Sequence, residues 1–318
     1  LVRLAKYTED QPGPITTNVL EEFATRRANE FKEIARGYYN KLDDNLQLNF
    51  YNALLKIFLG NSSAADFDGS FMDLGLIYRL NDGIYGTTRN HILCLPAQKG
   101  LLELFKELPR YKDVLNRIRL GEQSGNEFEK AMLLQLISSI KPVTLDATDL
   151  NNLHKTTILI DFEHCETIKH PNFSLGFGHE RVLSRGWPNY PRFDFILGPM
   201  FIQVSISDFQ AHEKTKSKKI SKAFEDRDTK SRKNQIECYM DEMFGSGHSA
   251  NIDPKNKKFI VTKNGVVVPG FQIVYIRGSP GAPNHSGLVK DYPDVLHVTF
   301  EEIKMKLFRN ILEINDCL

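Results

Sequence analysis

The stretch FDFILGPMFIQVSIS, residues 193–207, sets an acid, Asp194, in one short apolar run and a polar pair, Gln203 and Ser205, in the next. A Gly-Pro turn joins the two runs. Side chains alternate along a strand, so Gln203 and Ser205 share a face. Phosphodiester hydrolysis by a divalent metal needs carboxylates that hold Mg²⁺ and a group that polarises the attacking water. Asp194 is a hard oxygen ligand for such an ion, and Gln203 a neutral one. Glu129, near the start of a long helical run, is a further acid placed to reach the same metal. Any amphipathic hairpin can show an acid followed by alternating polar residues, so the surrounding elements must decide.

Residues 18–41 and 45–59 carry apolar side chains at three- and four-residue spacing, which predicts two helices. The segment FMDLGLIYRLNDGIYGTTRNHILCL then reads as strand, Asn-Asp-Gly turn and strand. A helix over 97–108 closes a small helical, winged-helix-like module, placed over 1–120 with a charged connecting helix at its end. A second domain over 121–318 opens with SGNEFEKAMLLQLISSI, where Ser124 or Asn126 caps a helix striped by Phe128, Met132 and Leu136. Strands are predicted over 157–162, 193–197 and 201–207, as neighbours in one sheet. Helices follow over 220–224 and 232–244, strands over 258–262, 272–277 and 295–300, and a helix over 301–314. Interleaved strands and helices make the chain α/β.

Composition narrows the field. The 318 residues are 41% hydrophobic and 25% charged with a formal net charge of +1, which fits a globular protein and excludes a uniformly basic nucleic-acid coat. No apolar run approaches the ~20 residues of a membrane span. Beginning at Leu1 without methionine, the chain reads as a fragment or processed form. Cys94, Cys165, Cys238 and Cys317 form no C-x-x-C pair, so they are read as reduced thiols rather than a zinc site or disulfide framework. Glu163, His164, Cys165 and His170 match no standard zinc spacing.

The most basic stretch, HEKTKSKKISKAFEDRDTKSRKN at 212–234, follows the candidate site. Its Lys214, Lys216, Lys218, Lys219 and Lys222 are candidate phosphate contacts; a solvated face diluted by Glu225, Asp226 and Asp228 is the alternative. The Gly/Pro-rich RGSPGAPNHSG at 277–287, with Arg277 and His285, the pair His179 and Glu180, and Trp187 among aromatics read as structural turns and anchors.

The segment GNEFEKAMLLQLI, with a glycine ahead of a Phe-Glu pair, resembles the opening helix of restriction-endonuclease-like domains, and the element order that follows is that fold's core order. The resemblance implies a mixed sheet flanked by helices, with Glu129 as the helix acid, Asp194 as the metal aspartate and Gln203 at the second acid position. Ser205 stands where that family has its catalytic lysine. Glutamine brings no charge to a metal, and serine lacks an ammonium's ability to stabilise a developing phosphorane. More widely, FIQVSISDF, NQIECYMDEMFGSGHSA and FQIVYIRGSPGAPNHSGLVKDYPDVLHVTFEEI resemble the carboxy-terminal half of Crinkler-type and retrotransposon-hot-spot proteins. In these a nuclease-like domain follows a P-loop ATPase, whose tail FMDLGLIYRL and ILCLPAQKGLLELF resemble. The chain has no G-x-x-x-x-G-K-[ST], so no ATP is expected here, and the ATPase region would lie upstream. The resemblance implies DNA as partner, Mg²⁺ as cofactor, and a nuclear place of action, in a host if the protein is a secreted effector. Cleavage, DNA binding without cleavage, and a protein-interaction or homodimerisation module stay open. Convergence of Glu129 and Asp194 on one metal is what the cleavage reading requires.

Overall fold

The computed structural model describes residues 16–59, 62–82, 87–139, 142–149, 153–162, 164–167, 181–185, 193–214, 219–256, 258–281 and 294–309. The chain divides into two compact units, 1–113 and 114–318.

In the first unit, helix α1 (Thr17–Tyr39) starts where the Thr16 hydroxyl accepts the Val19 N–H, and α2 (Asp44–Phe58) where Asp43 accepts the Leu46 N–H. A one-turn α3 (Gly69–Met72) leads into the antiparallel hairpin β1 (Ile77–Asp82) and β2 (Thr87–Ile92), then α4 (Leu95–Glu107). Aromatic rings fill the core: Phe50 meets Phe71 at 5.1 Å, and Tyr51 stacks on Phe105 at 4.7 Å. Helices α1 and α4 touch backbone to backbone at Gly100. A Cβ there would overlap the Ala28 carbonyl oxygen and stand 3.0 Å from the Lys32 nitrogen. Gly100→Ala should therefore cost the unit about 1–3 kcal/mol by overpacking, although glycine to alanine inside a helix ordinarily gains roughly 1 kcal/mol. Thermal unfolding checks the sign; a raised midpoint would show that the helices can part freely.

Helix α5 (Pro109–Leu120) contains the division between the units. The second unit is built on an eight-stranded mixed sheet of order β4-β3-β13-β12-β8-β7-β6-β5. Its strands are β3 (Val143–Asp149), β4 (Lys155–Ile160), β5 (His164–Thr167), β6 (Val182–Arg185), β7 (Phe195–Leu197), β8 (Met200–Ser205), β12 (Gln272–Arg277) and β13 (Val295–Val298). Strands β8, β12 and β13 run parallel, and β7 returns antiparallel beside β8. The hairpin of β7 and β8 forms as the sequence predicts. The run predicted at 157–162 is in the same sheet but not its neighbour: β4 is at the far edge, with β3, β13 and β12 between.

Alternation gives the sheet two buried faces. Phe201, Ile273, Tyr275 and Val295 pack with Phe209, Ile220, Phe224, Tyr239 and Met240. These come from α7 (Phe209–Lys214), the segment after it, α8 (Lys222–Glu225) and α9 (Gln235–Phe244). The intervening Ile202, Val204, Val274 and Ile276 are buried on the other face. There α6 (Gly125–Ser138) lies, with Gly125 against Ile206 and Phe128 filling the space a Cβ on Gly278 would need. Phe128 also meets Phe300 of α10 (Phe300–Ile303) and Phe308 of the π-helical turn after it.

A smaller sheet of order β11-β10-β9, from β9 (His248–Ile252), β10 (Phe259–Lys263) and β11 (Val266–Val267), completes the α9 layer. The outer edge of β9 is met by side chains rather than by a strand. Asp241 accepts the His248 N–H at 2.8 Å, Glu237 accepts the Ala250 N–H at 3.0 Å, and Asn234 donates to the Ala250 oxygen at 2.7 Å.

Candidate functional site

Asp194 stands just before β7, and its backbone N–H bonds the Ile202 oxygen. Its carboxylate replaces the strand that ends there. Oδ2 accepts the Val204 N–H at 2.6 Å and the Gln203 Nε2 at 2.7 Å. The same Nε2 donates to the Val204 carbonyl at 3.0 Å. Two acceptors fix the amide orientation, because the amide oxygen in that place would face two oxygens. The Asp194 charge is thus already answered by two donors, and Gln203 turns its donor, not its acceptor, toward the acid.

Ser205, two residues on, shares the Gln203 face. Its oxygen accepts the Ser207 N–H at 3.2 Å. Parallel pairing with β12 sets Tyr275 beside Gln203 and Arg277 beside Ser205. The Tyr275 hydroxyl donates to the Ser207 oxygen at 2.8 Å. Burial pushes that hydroxyl well above the ordinary tyrosine value, against a smaller opposing effect of its hydrogen bond with Ser205. It therefore stays a protonated donor at any physiological pH. The ring lies between His297, stacked at 5.9 Å, and His212, edge-on at 5.4 Å. Arg277 is the cation nearest in register to Ser205. Its guanidinium bonds the loop that follows, to the Pro280 oxygen at 3.1 Å, the Gly281 oxygen at 3.2 Å and the Ser279 hydroxyl at 3.4 Å.

Of the four residues expected at the site, the structure gathers Asp194, Gln203 and Ser205 on one face. Glu129, half-buried, belongs to α6, which packs on the other. Among the described residues no group of three or more His, Cys, Asp or Glu side chains is placed to hold a metal ion. Tyr275 was not singled out in the sequence; the alternation of FQIVYIR carries the same period as FIQVSIS, but the register that joins them is a long-range fact.

In the basic stretch, ion pairs sort the cations. Lys222 is 2.8 Å from Glu225 and 3.7 Å from Asp226, and the Glu225 contact raises its ammonium above the ordinary lysine value. Arg227 meets Glu237 at 3.4 Å, and Lys233 pairs with Asp241. Lys214 is exposed at the end of α7, and Lys219 is half-buried. Buried Glu213 accepts the Ile220 N–H with both oxygens at 3.1 Å. Lys216, Lys218, Glu163, His170, His179, Glu180, Trp187 and His285 lie outside the described residues. No described helix is long and apolar enough to cross a membrane.

Comparison with protein-family models, with curated proteins and with solved structures finds no match for this chain.

Proposed function

We propose that the second unit is a restriction-endonuclease-like domain, of the Crinkler and retrotransposon-hot-spot kind, that binds DNA without cutting it, since α6 carries Glu129 on the sheet face away from Asp194. The first unit is then its winged-helix-like companion. The observation that carries this reading is the closed pair of Asp194 and Gln203. In that pair Asp194 Oδ2 receives an amide and a backbone N–H, so the side chain beside it offers the acid a donor where a metal site would offer a second oxygen ligand. The lysine that would stabilise charge on phosphorus is replaced by Ser205, and the nearest cation in register, Arg277, is engaged by its own loop. A group of that type is worth roughly 3 kcal/mol, or about a hundredfold in rate.

Fluorescence anisotropy of a labelled duplex against the full chain tests binding, and gel assays in Mg²⁺ test cleavage. We expect affinity that falls steeply with salt, as counterion release requires, and no cutting. Vigorous Mg²⁺-dependent cleavage that Asp194→Asn abolishes would overturn the non-cutting reading. Absence of duplex binding at low salt would overturn the nucleic-acid reading altogether.

A further inference from the structure

We infer that the turn from Arg227 to Asn234 is a phosphate-contacting surface, on which Lys230 and Arg232 meet the backbone of a nucleic acid. The inference rests on the proposed nucleic-acid reading and names the residues that make the contact. The committed cations of the preceding segment do not suit the task equally, since Lys222 is shared by Glu225 and Asp226.

The turn is built to hold its shape. An isolated antiparallel bridge joins Arg227 to Asn234. Inside it the Asp228 N–H bonds the Lys233 oxygen, and the Arg232 N–H bonds the Asp228 oxygen, both at 2.9 Å. The Asp228 carboxylate faces inward and accepts the N–H groups of Ser231 at 2.7 Å and Lys230 at 3.0 Å. Those bonds, the Ser231 backbone one first, hold it below the usual carboxylate range. Arg227 braces the turn across the Arg232 oxygen at 2.9 Å. Arg232 itself sits at φ 58°, a left-handed conformation unusual for arginine. Asn234, fully buried, ties the base of the turn to α8 and β9.

Charge bookkeeping leaves two cations over. Glu225 and Asp226 face Lys222, Glu237 faces Arg227, Asp241 faces Lys233, and Asp228 is occupied by backbone donors, with Lys230 acting on it through charge but forming no salt bridge. Lys230 and Arg232 are exposed, and no carboxylate forms a salt bridge with either among the described residues. A fixed backbone spares the cost of ordering the turn on binding, leaving only the rotamer freedom of the two side chains to be lost. The surroundings also speak for phosphate over peptide. Within residues 207–265 no described large hydrophobic side chain is exposed, the exposed Val266 and Val267 lying on β11, two strands from the β9 that Asn234 meets. Protein interfaces rely on buried apolar and aromatic anchors, whereas a phosphodiester backbone needs only charge and hydrogen-bond donors.

The test measures duplex affinity of the full chain against salt for wild type, Lys222→Gln, and Lys230→Gln with Arg232→Gly, the glycine relieving the backbone instead of straining it. The double variant should flatten the log–log salt slope by about 1.8, at ~0.9 per lost phosphate contact, while Lys222→Gln leaves it nearly unchanged. A wild-type chain that binds duplex with a slope the double variant shares would overturn the inference and leave the DNA reading standing. A wild-type chain that binds no duplex would remove both. Binding of poly-glutamate in preference to duplex, lost in the double variant, would assign the turn to an acidic peptide and overturn the phosphate assignment.

Discussion

Gln203→Glu should destabilise the second unit by roughly 3 kcal/mol at neutral pH without divalent metal, and Mg²⁺ should restore most of it. The substitution changes one atom's chemistry. Where Nε2 now donates to Asp194 Oδ2 at 2.7 Å and to the Val204 oxygen at 3.0 Å, an anionic oxygen would face both. The site is largely removed from water, Gln203 being 8% exposed. Two unit charges ~3 Å apart repel by about 5 kcal/mol at an effective dielectric constant of 20, and a shared proton relieves part of that. The sign with pH follows. Repulsion raises the folded-state pKa of the new pair above its unfolded value, so the pair is compatible with folding at low pH. Its stability is lost as pH rises through the folded value. Melting temperature measured across pH, with and without Mg²⁺, checks both effects. A flat profile in EDTA would mean that the pair is more open to water than its contacts indicate.

The second large effect is expected at Asn234, which has no solvent exposure. Its Oδ1 accepts the Glu237 N–H at 2.9 Å, while Nδ2 donates to the Phe224 and Ala250 oxygens at 3.0 and 2.7 Å. Asn234→Ala removes a helix cap, worth about 1 kcal/mol, and strands buried backbone groups at about 1–3 kcal/mol each. Because these costs overlap, a total of roughly 4 kcal/mol is expected, read from the denaturant midpoint. Asn234→Asp separates the causes. Aspartate caps helices well, yet it would set a carboxylate oxygen against two carbonyls, so it should fare no better than alanine at neutral pH. A near-native midpoint for the aspartate variant would show that capping alone matters here.

Local chemistry made much of this legible. The Gly-Pro between residues 197 and 200 marks the hairpin, and Ser124 with Glu127 forms a capping box where the helix was expected to begin. Long-range pairing was not legible. Strand β3, VTLDATD, is half polar and carries no strong strand signal, yet it is held between β4 and β13 by pairs such as Leu296 with Asp149. The same limit applies to the site. Asp194 and Gln203 are neighbours because a turn of two residues makes them so, whereas Tyr275 reaches Gln203 only through parallel pairing with a strand far along the chain. The face that α6 covers, and with it the side of the sheet that Glu129 occupies, depends on Phe128 meeting Gly278, a fit between residues that no local pattern links.

The cap residue Asn234 and the α9 side chains Glu237 and Asp241, which meet the edge of β9, do more than complete hydrogen bonds. They make the helix a chemical substitute for a missing strand, and so a guard against self-association. When α9 loosens, the N–H groups of His248 and Ala250 and the Ala250 oxygen become an open template for another chain. The ten-residue α9 and its cap therefore keep satisfied a strand edge that nothing in the small sheet itself would pair.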